Sequence, residues 1–289
     1  LVNGGFRVNF DTIKGEVFMI RGFYTAAAGM LAQMQRQEML TNNIANVNTP
    51  GYKADRTSLH SFPNVLLQQI GGTIGDGAQI GGISNGVYLQ EGLPDFSLGP
   101  LKETGENTDI ALVPTNVPPD PASGRTGTLL FAVALPNGDI RYTRNGHFNL
   151  DPLGRLTTAD GYFVLDANGQ PITLATNDFK VDDHGRIYEN GVMVGEIGIA
   201  YAADPAQLVK EGNDLFRAGA NGAVLPMANG NPAIAYSTKQ GFLEQSNVQE
   251  EQAMTDLLMA YRTFEANQRV LKTIDHTMDL AVNQVGKIG

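Results

Sequence analysis

A serine set between glycines, Gly82-Ile83-Ser84-Asn85-Gly86, has the G-x-S-x-G spacing of a nucleophile elbow, in which a sharp strand-to-helix turn exposes a hydroxyl for acyl transfer. Its context argues against that chemistry. A glycine-rich stretch precedes the serine where a hydrophobic strand is needed, and a short strand pattern, Val87 to Gln90, follows where a helix is needed, so we read a turn between strands. Gly72-Thr73-Ile74-Gly75-Asp76-Gly77 has the glycine density of a phosphate loop but lacks the Lys-Ser/Thr ending and a following helix, and reads as a plain loop. Asp166-Ala167-Asn168-Gly169 and Asp182-Asp183-His184-Gly185 open like calcium loops, yet neither continues to a bidentate glutamate; hairpin turns explain both. His60, His147, His184 and His276 share no metal-ligand spacing, and the chain has no cysteine, which removes thiolate zinc sites, a cysteine nucleophile and disulfides together. Paired carboxylates for glycoside hydrolysis meet only in space, and nothing in the sequence points to such a pair. The reading assigns no catalytic residue, no metal and no cofactor.

With chemistry weakly signalled, the elements that would position any site carry the information. The chain has 289 residues, enough for one large or two small domains with a buried core. A net charge of −10 with 17% charged residues offers no footprint for nucleic acid or anionic lipid. No stretch of 18 apolar residues exists. The 34 glycines and 14 prolines, beside 42% hydrophobic residues, are too many for a helical bundle in a chain too apolar for disorder. They are also segregated: every proline lies between Pro50 and Pro232, whereas Met30 to Thr49 and Phe242 to Val285 contain neither residue. Uninterrupted helix is expected at both ends, with a β-rich middle.

The first helix shows a seam of alternating three and four spacing through Ile20, Phe23, Ala27, Met30, Met34, Gln37, Thr41 and Ile44. The last helix keeps that rhythm through Met254, Leu257, Tyr261, Phe264, Gln268, Leu271, Asp275, Met278, Val282 and Val285. Ser246 with Gln249, or Asn247 with Glu250, is expected to form a capping box. One reading packs two ordinary amphipathic helices on the middle domain; the sharper one pairs the termini in a coiled coil, marginal alone and stabilised against copies of itself or similar chains.

Between the helices, Lys53 to Thr108 reads as an extended connector with short strands around Ile80, Val87-Tyr88-Leu89 and Phe96-Ser97-Leu98. Pro114 to Gly127 reads as a surface loop. Leu129 to Leu135, an Asn-Gly turn at Pro136-Asn137-Gly138-Asp139, and Ile140 to Thr143 form a hairpin. A quasi-repeat follows: Phe148 to Leu156 matches Phe179 to Ile187, each a strand, an Asp-x-x-Gly turn and a strand, a local duplication and not a solenoid.

The run Thr41-Asn42-Asn43-Ile44-Ala45-Asn46-Val47-Asn48-Thr49-Pro50-Gly51-Tyr52-Lys53 strongly resembles the N-terminal signature of bacterial flagellar rod and hook proteins. Met19 to Met30, Thr108 to Leu112, Tyr142-Thr143-Arg144-Asn145-Gly146-His147-Phe148 with Asp151 and Gly154, and Gly241 to Val248 running into Met254, Tyr261-Arg262 and Phe264 to Gln268 match the same family in order. The closest resemblance is to rod proteins of the FlgF/FlgG type, in particular the FlhO-like variant. One departure follows Asp109-Ile110-Ala111, where the family usually has Gly-x-Gly-Phe-Phe and this chain runs to Val113-Pro114.

The resemblance implies a structural axial subunit of the basal body that transmits torque for motility. It implies export in the unfolded state by the flagellar type III apparatus without a cleaved signal peptide, and terminal helices lining an inner tube with the β domain outside. Implied partners are other rod and hook proteins, copies of itself and the export apparatus, with no nucleic acid and no small-molecule substrate. The residues expected to pack between subunits are Phe23, Met30, Met34, Asn42, Asn43, Ile44, Asn46, Leu257, Tyr261, Phe264, Leu271 and Met278. Asn42, Asn43, Asn46 and Asn48, poor as plain helix formers, are expected to hydrogen-bond between subunits or to cap the helix end.

The expected fold is α+β, a mainly-β central domain with hairpins flanked by long helices that pair in a coiled-coil-like core. Its parts are residues 1–18, a leader or non-native extension, 19–52, an N-terminal axial helix, 53–107, the connector, 108–240, the β-rich domain, and 241–289, the C-terminal axial helix. Family members begin at the equivalent of Met19, and Lys14-Gly15-Glu16-Val17 is encodable by a GGAGG-containing tract, so residues 1–18 are expected to be a translated ribosome-binding leader. Rival readings are a cell-wall-binding or wall-hydrolysing protein at the rod and a secreted adhesin.

Overall fold

A computed structural model describes residues 10–61, 65–68, 79–83, 86–90, 92–219 and 224–285; for 10–20, 65–68, 79–83, 281 and 284–285 it describes the backbone alone. The loop at 72–77 and the serine at 84 lie outside the described residues, as do residues 1–9. Two long helices, α1 (Phe10–Ala45) and α2 (Glu250–Val285), flank a region of antiparallel strands. The chain divides into two compact units. One holds residues 1–42, 57–92 and 251–289, the other 43–56 and 93–250.

In the first unit, α1 and α2 meet with opposite chain directions. A Cβ on Gly22 would lie 3.2 Å from Ile274 Cδ1, one on Gly29 would lie 2.8 Å from Asn267 Nδ2, and Arg36 pairs with Asp256 at 3.8 Å. Leu59–Ser61 pairs with Val87–Leu89, and Val65–Gln68 with Gln79–Ile83, so the connector contains more ladder than its breakers suggest. The helix begins nine residues before Met19, inside the stretch set apart as a leader, and stops at Ala45, short of the expected boundary at 52.

The second unit is built around Thr128–Ala134, a strand buried along nearly its whole length. Ile140–Thr143 lines one of its edges. The other edge is shared: Ile199–Ala202 pairs with residues 128–131 and Phe163–Val164 with 133–134. Such a strand, covered on both faces, reads as a continuous apolar run, which is why Leu129 to Leu135 was legible. Both halves of the quasi-repeat are antiparallel hairpins, Phe148–Leu150 with Leu156–Thr158 and Phe179–Val181 with Arg186–Glu189. Phe131, Phe148, Leu156, Phe179, Ile187 and Ile199 form the main core cluster, with Phe131 and Phe148 edge-to-face at 5.2 Å.

Two expected elements are corrected. Pro114 is no loop residue: Ile110–Asn116 is a strand paired with Ala235–Gln240, and the ladder shifts register between Ala235 and Tyr236, opposite the proline, where its missing N–H is tolerated. The loop begins after Asn116. Phe96 to Leu98 forms no ladder; the short strands lie on either side, at Leu93–Pro94 and Leu101–Glu103. Phe96 packs on Phe216 at 5.2 Å, and the Ser97 carbonyl accepts from side chains.

Candidate functional site: the shared root of the two helices

The sequence dictates where α1 stops. Proline at 50 disfavours the α conformation at Thr49. The amides of Asn46, Val47 and Thr49 donate to carbonyls three residues back, each at 3.2 Å, a 3₁₀-like tightening of the helix end. Gly51 follows with φ 72°, and a Cβ there would lie 2.5 Å from the Arg144 carbonyl carbon and the Asn145 nitrogen. Glycine is needed for the backbone conformation and for the close approach. Gly51 N–H donates to the Glu244 carbonyl at 2.8 Å, joining the end of the first helix to the approach of the second.

Asn43, buried in the last turn of α1, uses its amide within the chain. Its Oδ1 accepts from Tyr52 Oη at 3.1 Å and Asp55 N at 3.0 Å, and its Nδ2 donates to the Asp55 carbonyl at 3.0 Å. Its side chain caps no group of the helix end; it ties the last turn of α1 to Tyr52 and Asp55. Lys210 reinforces the same segment from the β unit, with Nζ 3.9 Å from the Tyr52 ring centroid and 3.2 Å from Asp55 Oδ2. Burial first, then the negative charges of Asp55 and Asp214, push the Tyr52 hydroxyl well above its ordinary range.

At the centre lies a buried ion cluster. The side chains of Lys53, Arg144 and Glu244 are 1%, 1% and 2% exposed. Lys53 Nζ donates to Glu244 Oε1 at 2.5 Å and to the Ser97 carbonyl at 2.7 Å. Arg144 Nε donates to Glu244 Oε2 at 2.6 Å, and its two remaining nitrogens donate to the Leu129 and Leu112 carbonyls, each at 2.6 Å. Gly99 N–H completes the carboxylate's partners at 2.9 Å. Burial alone would raise Glu244, but the charges of Arg144 and Lys53 and these hydrogen bonds override it and hold the carboxyl below its ordinary range. Burial draws Lys53 below the usual lysine range, aided by Arg144 and opposed by Glu244.

Asn247 closes the structure: Ala54 N–H donates to its Oδ1 at 2.8 Å, while its Nδ2 donates to the Asp95 carbonyl at 2.7 Å and to Ser97 Oγ at 3.1 Å. The side chain is therefore committed away from Glu250, and the Ser246 hydroxyl accepts from Val248 N–H at 3.3 Å; neither expected capping box forms. Asp55–Arg56 pairs with Leu93–Pro94. The chain passes from one unit to the other at residues 42/43, 56/57, 92/93 and 250/251.

The residues expected to pack between subunits fall beside, and in part outside, the helix faces that the chain itself covers. On α1 Ala26, Gly29, Ala32, Gln33, Leu40 and Asn43 are buried and Gly22 and Arg36 half-buried; all but Ala32 fall on a heptad seam one residue out of step with the expected one. Phe23 (38%) and Met34 (43%) are exposed, Met30 and Ile44 half-buried. On α2 Ala253 and Ala260 are buried and Leu257, Phe264, Asn267, Leu271, Ile274 and Met278 half-buried, so Leu257, Phe264, Leu271 and Met278 are partly covered by the chain itself while Tyr261 (54%) is exposed. Asn42 is exposed and Asn46 half-buried, its Oδ1 accepting from Thr49 Oγ1 at 3.2 Å. Lys53, Arg144 and Glu244 lie inside the motifs quoted above without having been singled out, and Asn247 was singled out only as a capping-box candidate. Lys53 and Glu244 directly follow large apolar residues, as in Phe242-Leu243-Glu244, whereas Arg144 follows Thr143 and Asn247 follows Ser246 and carry no such signal.

The turn aspartates behave as expected. Asp151, Asp166 and Asp182 each accept two backbone amides through Oδ1, and the glycines that follow have φ near +80°. In the cleft of about 450 Å³ beside Tyr201, Asp204 accepts from Ala206 N–H and Asp120 from Ser123 N–H, so these carboxylates close loops.

The chain matches three family descriptions: "Flagella basal body rod protein" over residues 23–53, "Flagellar hook protein FlgE/F/G D1 domain" over 126–189 and "Flagellar basal body rod FlgEFG protein C-terminal" over 239–284. Lys53, Arg144 and Glu244 fall one in each. The chain is 43% identical to the flagellar hook-basal body complex protein FlhO of Bacillus subtilis, over 93% of this chain and 100% of that protein. It is 32% identical to the flagellar basal-body rod protein FlgG of Bacillus subtilis, over 92% and 99% respectively. It is 31% identical to the flagellar basal-body rod protein FlgF of Rhizobium meliloti, over 93% and 99%.

Proposed function

The chain belongs to the flagellar basal-body rod protein family of the FlgF/FlgG type, and we propose from that membership that it is a structural subunit of the basal-body rod. In this reading α1 and α2 pair as an antiparallel, coiled-coil-like element. They assemble with copies of the chain and with other rod and hook proteins into the axial tube that carries torque. The chain reaches that place through the flagellar export apparatus without a cleaved signal peptide, and it performs no catalysis.

The observation that carries the reading is the match along almost the whole chain. The helix surfaces support it. Phe23, Leu31 and Met34 on α1, and Met254, Leu258, Met259 and Tyr261 on α2, are large apolar side chains left exposed. Repeated at helical spacing, they suit burial against neighbouring helices. Phe23, Met30, Met34, Asn42, Ile44, Asn46, Leu257, Tyr261, Phe264, Leu271 and Met278 are the proposed packing residues; Asn43 contributes by holding the root.

A deletion strain complemented with the wild-type chain should swim, with the protein present in isolated basal bodies. Complementation by the chain carrying Phe23→Glu and Met34→Glu should leave a folded, exported protein absent from basal bodies, and cells that do not swim. Normal swimming of the deletion strain, or of the double variant, overturns the reading.

A further inference from the structure

We propose that Lys53, Glu244 and Arg144 form a clasp that docks residues 43–56, 93–100 and 241–250 onto the remaining strands of their own unit as one cooperative step. The inference concerns folding and holds whatever assembly the chain joins.

The partners are remote in sequence: Lys53 and Glu244 are separated by 191 residues, Arg144 and Glu244 by 100. Both carboxylate oxygens are engaged, one to each cation, and no other ion pair of the described residues has both side chains so completely buried. Partial docking is therefore disfavoured from every side. Without Glu244, two cations share a site that water does not reach; without Lys53 or Arg144, the carboxylate loses half of its compensation. The backbone raises the stakes. Gly51 touches the Arg144 backbone, and a Cβ on Gly99 would collide with the Gln245 carbonyl, so these segments fit together at contact distance or not at all. Gly51 N–H to Glu244 O, Asp95 N–H to Ala54 O and Gln245 N–H to Pro100 O, each at 2.8 Å, then link the three segments pairwise.

Native-state hydrogen exchange of the full-length chain at low denaturant tests the clasp. The amides of Gly51, Asp95, Gly99 and Gln245 should follow one shared opening curve, lying below that of Ala132 and Leu165, whose bonds hold the central sheet. In Glu244→Gln, protection of all four should fall together by at least about tenfold while Ala132 and Leu165 stay protected relative to them. Adding Lys53→Met to Glu244→Gln should restore part of that loss, because one uncompensated cation is removed. Separate opening curves for residue 51, residues 95–99 and residue 245 in the wild type overturn the proposal, and this readout stands even if the variants fail to fold. A double variant no better protected than Glu244→Gln overturns its electrostatic basis.

Discussion

Gly51 and Gly138 both hold a left-handed backbone, φ 72° and 87°, but in opposite surroundings: a Cβ at 51 meets the Arg144 backbone at 2.5 Å, whereas nothing lies within 4 Å of one at 138. Gly138→Ala should therefore lower stability by about 1 kcal/mol, the strain of the conformation alone. Gly51→Ala adds a clash with backbone that cannot rotate away and should lower it by about 3 kcal/mol or more. Urea denaturation of the two variants checks the difference, and equal midpoints would show that Arg144 does not constrain the turn. Asn43→Ala makes a related case. It leaves the amide and carbonyl of Asp55 without their side-chain partner and removes one partner of the Tyr52 hydroxyl, with an expected loss of about 2 kcal/mol in the same measurement.

At the scale of elements, the offset between expected and observed helix seams has a physical source. A hydrophobic pattern selects the stripe of largest apolar side chains, here Phe23, Met30 and Met34; close approach of two helix backbones selects the smallest. Gly22, Ala26 and Gly29 on α1, with Ala253 and Ala260 on α2, occupy the covered face. Ala260→Leu, at a position 1% exposed, should overpack that face and lower the helical thermal transition seen by circular dichroism, at a cost of about 1–3 kcal/mol. Leu258→Ala, two residues earlier and exposed, should leave the transition within about 0.5 kcal/mol of wild type. The hairpins were legible because their information is local: Asp, two residues, then Gly fixes the turn, and alternation fixes the faces. Residues 96–98 were misread because the Ser97 carbonyl is claimed by Lys53, 44 residues away, and no short window contains that partner. The ion cluster was hidden for the same reason, though each of its residues lay inside a motif already in view.

For the whole molecule, acid acts through two opposed kinds of carboxyl. Glu244 has its folded pKa held down, so its contribution is complete above the unfolded value near 4.5 and is lost as pH falls through the lower folded value. Asp214 runs the other way. Burial raises its pKa, assisted by Asp160 and opposed by Lys210, so its charged form weakens the fold at neutral pH and the penalty disappears once both states are protonated. The denaturation midpoint of the wild type should accordingly decline below about pH 4.5, and Glu244→Gln, already weakened, should decline less steeply. Asp214→Asn should raise the midpoint at pH 7 and leave it unchanged at pH 3, and asparagine suits the left-handed φ of 55° at that position. These measurements need dilution series. With 30 acidic and 20 basic residues the net charge vanishes near pH 4.8, where repulsion between copies is weakest and exposed apolar helix faces associate most readily. A midpoint that rises with protein concentration near pH 4.8 and is concentration-independent at pH 7 would assign that part of the pH profile to association, leaving the concentration-independent remainder to Glu244 and Asp214.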